Sequence, residues 1–416
     1  MLANPATRAG VYFAVMQFLF ATCWTVYVIY LPALAAKVGI DRGTVIWILM
    51  MDQAIFTLMD FGMGVVADRL GAAYVRLARL LLGISLVSCA AFVLLPFVGQ
   101  WGAGLFIVLI VLWSATSSAL RAPPMALIGR YAAVPDHPWL ASLSFFGLGV
   151  AGALAPFLTV RLRNIDPAVP FVVATVSLAL VTLGLVWAAR ALAGATTGST
   201  ETKPVEADNL NAADGKPSGG IIAVFLIGAL LVAIGFQLHS ALNSAPQYLR
   251  FAKPADLEHL LPMFWVGFNL AIFPMGALTK RTGALTVLIG GGIVGALALL
   301  VAWQAGTLST LVGAQVLAGA AWAAMLMSAM SAALALGHTG REGRVSGALF
   351  ALLAIATFAR MGIVATQMNQ NPEVSTMLPW LPVIAWVVAA AVFLAAWNAL
   401  RRSAAHKIAS ALVGHR

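Results

Sequence analysis

Apolar residues in this chain come in long runs with few interruptions. Twelve runs reach the length of about 20 residues that a helix needs to cross a bilayer. They lie near 10–35, 45–66, 77–98, 102–122, 139–160, 168–189, 219–242, 259–279, 284–304, 308–336, 345–368 and 378–400. None alternates polar and apolar residues at every second position, as the strands of a lipid-embedded barrel would. With no water in the hydrocarbon to pair with the backbone, helix is then the only form left. The pattern predicts an all-α membrane protein with twelve transmembrane helices.

The longest polar interval, ARALAGATTGSTETKPVEADNLNAADGKPSGG at 189–220, is rich in Ala, Gly, Thr, Asp and Pro and has no apolar periodicity. It reads as a flexible linker. It divides the chain into a six-helix bundle at 1–190, a linker at 191–218, and a second six-helix bundle with a short tail at 219–416.

Composition agrees with this reading. Hydrophobic residues make up 62% of the chain and charged ones 9%, against roughly 25% charged in a soluble domain. Basic residues outnumber acidic ones, 24 to 14. They stand singly between apolar runs rather than on one face, so a nucleic-acid partner is not expected. The two cysteines, Cys23 and Cys89, lie inside apolar runs and suggest buried hydrophobes rather than a disulfide or metal pattern. No cofactor or metal is expected, and no catalytic constellation or phosphate-cradling loop points to an enzyme. Ala33-Leu34-Ala35 mimics a signal-peptide cleavage site, but the apolar run before it is too long for a secretory core of about 7–15 residues.

Basic residues in the connections set the orientation. Seventeen fall on the side holding both termini and six on the other, with Arg360 inside a run. The expectation is a multi-pass protein of the cell inner membrane with both termini cytoplasmic, surrounded by lipid, and a monomer.

Two short stretches break the apolar pattern in the same way. MDFGMGVVADRLGAAYVRLAR at 59–79 follows the second run, and IFPMGALTKRTGA at 272–284 follows the eighth. A shift of 212 places Gly64 on Gly276, Arg69 on Arg281, Gly71 on Gly283, Phe61 on Phe273 and Met63 on Met275. Two six-helix halves with matching inner loops mark a duplicated transporter with its substrate between the halves.

Gly64-x-x-x-Asp68-Arg69-x-Gly71 resembles the loop 2–3 signature of the major facilitator superfamily, and Gly276-x-x-x-Lys280-Arg281-x-Gly283 resembles its weaker partner in loop 8–9. The chain departs from the family where a basic pair usually follows the second glycine: here Ala72-Ala73-Tyr74 intervene before Arg76. The resemblance implies alternating access, with Asp68 accepting from the start of the eleventh helix near Gly343 and Arg344 and holding the inner side closed. A fainter trace, Gly147 to Pro156 in the fifth run, is similar to a motif of drug/proton antiporters, although Ala155 and Phe157 depart from it.

Ionisable groups inside spans are costly by a few kcal/mol, so each is a functional candidate. They are Asp52, Asp60, Arg121, His239 and Arg360. Asp52 lies roughly 9–12 Å and Arg360 about 12 Å from the outer face at 1.5 Å per residue. Since the resemblance makes helices 2 and 11 neighbours, the two are expected to form an interfacial pair. Two other readings stay open: Arg360 as a site for an anionic substrate with Asp52 as a proton site, and a static ion pair. Asp60 is either a proton-coupling carboxylate or a partner for Arg76 or Arg121. Arg121 precedes Ala122-Pro123-Pro124, which ends or kinks the fourth helix, and is expected near its inner end at the interface.

If the resemblance holds, polar residues of the first and seventh helices face a central cavity: Gln17, Thr22, Thr25, Gln237, His239 and Asn243, with Trp24, Trp265 and Asn269 beside them. The expected function is secondary transport of a small organic solute by alternating access, coupled to protons. The alternatives are an efflux antiporter for drugs or metabolites, and a binding or scaffold protein that kept the fold. Proteolysis or a short deletion within 191–218 is expected to leave the halves associated in detergent. Dissociation on size-exclusion chromatography after a single cut would refute the two-half organisation.

Overall fold

The computed structural model describes residues 4–70, 73–197, 219–338 and 340–413. Twelve helical spans cross the molecule: α1 (Pro5–Lys37), α2 (Arg42–Leu70), α3 (Val75–Gln100), α4 (Ala103–Tyr131), α5 (Val134–Asn164), α6 (Ala168–Gly194), α7 (Gly219–Tyr248), α8 (Pro254–Thr282), α9 (Ala284–Gln304), α10 (Leu308–Gly337), α11 (Glu342–Ala365) and α12 (Trp380–Arg402). An even number of crossings puts both termini on one face, called the terminal face below. Helix continues past α6 to Thr197, into the expected linker, and the remainder of that linker lies outside the described residues.

Each half closes on itself. In the first, α1 packs on α5 and α6, and α3 on α4 and α6; in the second, α7 packs on α12 and α11, and α10 on α8 and α9. Across the halves the principal seams are α2 on α11 and α5 on α8, with α4 and α5 also reaching α10 and α11.

Backbones touch in these seams because glycine faces backbone. A Cβ on Gly64 of α2 would strike the Gly343 carbonyl of α11, and one on Gly347 would meet the Asp60 carbonyl of α2. In α5, Gly149 and Gly152 leave room for Phe268 and Trp265 of α8. In the antiporter-like stretch, Gly149 and Gly152 therefore serve close packing of the two halves, while Gly147 faces the Ala14 carbonyl of α1 in its own half.

At the prolines the fourth span takes the second of its two expected courses and kinks. It does not end before Pro123; it breaks and continues to Tyr131. Helix runs over Ala103–Ser117, tightens to a 3₁₀ turn at Ser118–Leu120, and restarts at Ala122–Tyr131 with the prolines in its first turn. Proline is tolerated there because the first-turn N–H groups have no intrahelical acceptor. Pro124, however, cannot donate to the Leu120 carbonyl four residues earlier. The Gln17 side-chain amide of α1 donates to that oxygen instead, at 2.9 Å. A second irregularity lies in α7, where a π turn spans His239–Asn243 just before Pro246.

Replacing Gln17 by Leu strands the buried Leu120 carbonyl and should destabilise the protein by about 1–3 kcal/mol. A lowered thermal midpoint in detergent is the expected reading, and an unchanged midpoint would show that the break needs no such support.

Candidate functional site

At the terminal face, α2 ends against the start of α11. The first N–H groups of a helix lack intrahelical acceptors and carry the positive end of its dipole. The Asp68 carboxylate meets them, accepting from the N–H of Gly343 at 2.6 Å and of Arg344 at 3.0 Å. The Arg344 guanidinium lies 3.6 Å from the same carboxylate. Arg130 donates to the Asp68 backbone carbonyl at 3.4 Å. Asp68 thus ties the first half to the second.

The repeated stretch forms the corresponding corner with different chemistry. Gly276 of α8 faces Ser142 and the Pro138 carbonyl at the start of α5. Lys280, the counterpart of Asp68, lies 3.4 Å from Asp136 in the turn entering α5. Here the acid belongs to the receiving helix and the base to the arriving one. Arg69 and Arg281 are exposed. Gly283 has φ +88° and donates to the Thr279 carbonyl, a left-handed turn suited to glycine. Its counterpart Gly71 lies outside the described residues.

The break in α4 changes the place of Arg121. It was expected near the inner end of the helix, yet ten residues of helix follow it, so it stands about 15 Å from that end. Asp60, ten residues before the end of α2, is at the same depth by the same rise. The two form an ion pair, Arg121 Nη2 to Asp60 Oδ2 at 3.3 Å, with Asp60 fully buried. The guanidinium also sits 4.8 Å from the ring centre of Phe56 and 5.6 Å from that of Phe350 in α11. One of these three neighbours, Phe350, comes from the other half.

Asp52 and Arg360 do not pair. The Asp52 carboxylate, fully buried, accepts from Tyr27 at 2.8 Å and Ser114 at 2.6 Å, both in its own half. Around it Trp24, Tyr27, Phe56 and Trp113 form an aromatic cluster. Arg360 makes no ion pair among the described residues, and its Nε is buried without a hydrogen-bond partner. The depth match holds but the facing does not. Met50 and Gly362 oppose one another across the seam, the Met50 methyl 3.8 Å from where a Cβ on Gly362 would stand. Asp52 and Arg360 each lie two residues away, about 200° round their helices.

The polar residues proposed for a cavity are largely engaged. Gln17 bonds Leu120, Asn243 bonds the Leu378 carbonyl at 2.8 Å, and Thr22 and Thr25 bond carbonyls of their own helix. His239 contacts Gln315 at 2.8 Å, and Gln315 donates to Gln247 at 3.2 Å, a buried chain within the second half. Gln237 is half-buried. The Asn269 Oδ1 and the Trp322 Nε1 are buried without partners, Trp322 stacking on Phe236 at 4.1 Å. Sequence reasoning missed Tyr27, Ser114, Asp136 and Phe350. Only Ser114, a hydroxyl within an apolar run, left a trace.

Two six-helix halves joined by glycine seams and corner contacts can now be set beside known proteins. Residues 13–359 match the Major Facilitator Superfamily. The chain belongs to the major facilitator superfamily. Two solved structures of a bacterial homologue of the iron transporter ferroportin in an outward-facing state share the fold. The one with soaked iron has TM-score 0.70 at 13% identity, covering 93% of this chain and 98% of that one. The other has TM-score 0.69 at 14% identity, covering 94% and 99%. The human organic anion transporter MFSD10 (TETRAN) has TM-score 0.66 at 14% identity, covering 95% of this chain and all of that one (100%). At such identities the likeness is one of fold. No curated protein sequence matches the chain. Major facilitator proteins are membrane transporters, and this chain is a multi-pass membrane protein of that family.

Breaking the Asp60–Arg121 pair leaves one charge buried and alone, which in soluble proteins destabilises by about 3–5 kcal/mol. Asp60→Asn should therefore lower the thermal midpoint clearly, and adding Arg121→Gln should recover part of the loss. Additive losses in this double-mutant cycle would mean that the two charges act separately.

Proposed function

We propose that this major facilitator protein is a secondary transporter of the cell inner membrane, moving a small organic solute by alternating access with proton coupling. The terminal face is cytoplasmic in this reading, because the connections on that face carry most of the basic residues. The bias survives the move of Arg121 into the span.

The observation that carries the reading is the Asp68 contact with Gly343 and Arg344. It joins the halves through a side chain at one helix end and backbone N–H groups at another. Such a contact can part and re-form as rigid halves rock, without repacking either bundle. The Lys280–Asp136 pair supports the same motion at the other corner.

Coupling follows from Asp60. Its charge is tolerated in the membrane interior while Arg121 is beside it. Phe350, from the second half, helps to hold the guanidinium. Rocking that withdraws Phe350 loosens Arg121, and a buried carboxylate deprived of its partner is relieved by taking a proton. Cytoplasmic closure and the charge of Asp60 are thereby linked.

Asp68→Asn should insert normally and transport slowly, since it weakens closure without touching the translocation path. A solute found by thermal-shift screening, followed in proteoliposomes, supplies the assay. Wild-type rates in Asp68→Asn would remove the role assigned to this contact. Asp60→Asn should retain exchange down a gradient and lose accumulation driven by an imposed pH gradient. Unchanged accumulation would exclude Asp60 as the coupling group.

A further inference from the structure

We infer that Arg360 receives the carboxylate of an organic anion, which makes the cargo of this transporter anionic. The inference rests on the transport reading above and names its substrate class. Four charged side chains lie deep within the spans: Asp52, Asp60, Arg121 and Arg360. Asp60 and Arg121 neutralise one another, and Asp52 is held by two hydroxyls. Arg360 alone has neither counter-ion nor hydrogen-bond acceptor for its buried Nε among the described residues.

Its direction matters as much as its isolation. The exposed Ile355 and Phe358 mark the lipid side of α11. Arg360 stands five residues from one and two from the other, about 140° and 200° round the helix. It does not share their side. Phe350, Leu353, Thr357 and Arg360 instead follow at three- and four-residue steps along another side, with the last three half-buried. Phe350 begins this stripe against Arg121 of the first half. The stripe thus climbs from the inter-half contact towards the outer end of α11, and Arg360 stands above the level at which the cytoplasmic side is closed. A guanidinium offers a planar fork of donors that fits a carboxylate in two parallel hydrogen bonds. A guanidinium whose buried Nε has a free N–H is the donor half of such a site.

The test compares matched pairs on purified protein in neutral detergent without added lipid, which removes anionic headgroups as a competing source. Benzoate and benzamide, lactate and lactamide, and succinate and succinamide are titrated, with inorganic phosphate as a simple-anion control, and the thermal midpoint is read. At least one carboxylate should raise the midpoint while its amide does not. Arg360→Gln should weaken that effect tenfold or more, and Arg360→Lys should fall between. Without ligand, Arg360→Gln should be at least as stable as the parent, because an unpaired charge has left the membrane. A cation that merely anchors the helix predicts a loss of stability instead. Equal shifts by amides, an anion preference that survives in Arg360→Gln, shifts by phosphate alone, or no carboxylate-dependent shift in the panel would each overturn the inference. A carboxylate that binds through Arg360 but never crosses proteoliposomes would sink the transport reading and leave this one standing. A neutral solute carried independently of Arg360 would do the reverse.

Discussion

Everything in this molecule answers to one constraint: inside hydrocarbon, polar groups must find partners within the protein. The break in α4 shows the constraint operating on backbone. Two prolines withdraw the donors that two carbonyls would use, and a glutamine from another helix supplies one of the missing donors. The restarted helix then carries Arg121 deep enough to meet Asp60. Had the span ended at the prolines, the arginine would have stood at the interface and the acid would have been left alone. A local defect in one helix is what allows a charge pair between two.

The same constraint sorts the remaining polar side chains by availability. Gln17, Asn243, His239 and Gln315 are consumed in holding their own halves together. Thirteen buried side-chain atoms stay unmatched among the described residues, the Arg360 Nε, the Asn269 Oδ1 and the Trp322 Nε1 among them.

Much of the fold is legible in the sequence, and for a physical reason. Lipid demands length and apolarity of each crossing, which are properties of runs rather than of single residues. All twelve runs could therefore be counted, and the duplicated loop stretches disclosed the two halves. The site was legible in depth but not in direction. Counting 1.5 Å per residue placed Asp52 and Arg360 level with each other, yet a helix turns 100° per residue, and two residues carried each charge out of the shared seam. Without the polar stripe that a surface helix shows to water, nothing in the sequence said which side of α2 or α11 faced which neighbour. Arg121 was misplaced for a different reason: a proline pair reads equally as the end of a helix or as the start of another.

The two corners of the terminal face are not equal. At one, a nearly covered carboxylate is anchored on main-chain N–H groups, which cannot rotate away. At the other, Lys280 and Asp136 face each other at the surface, about half exposed, on side chains free to swing. Dissolved ions reach the second pair and screen it, and hardly reach the first. Separation of the halves should therefore begin between α5 and α8 and turn about the α2–α11 seam. Any parting of the halves at this face would then be a lopsided yawn, wider on the α5–α8 flank.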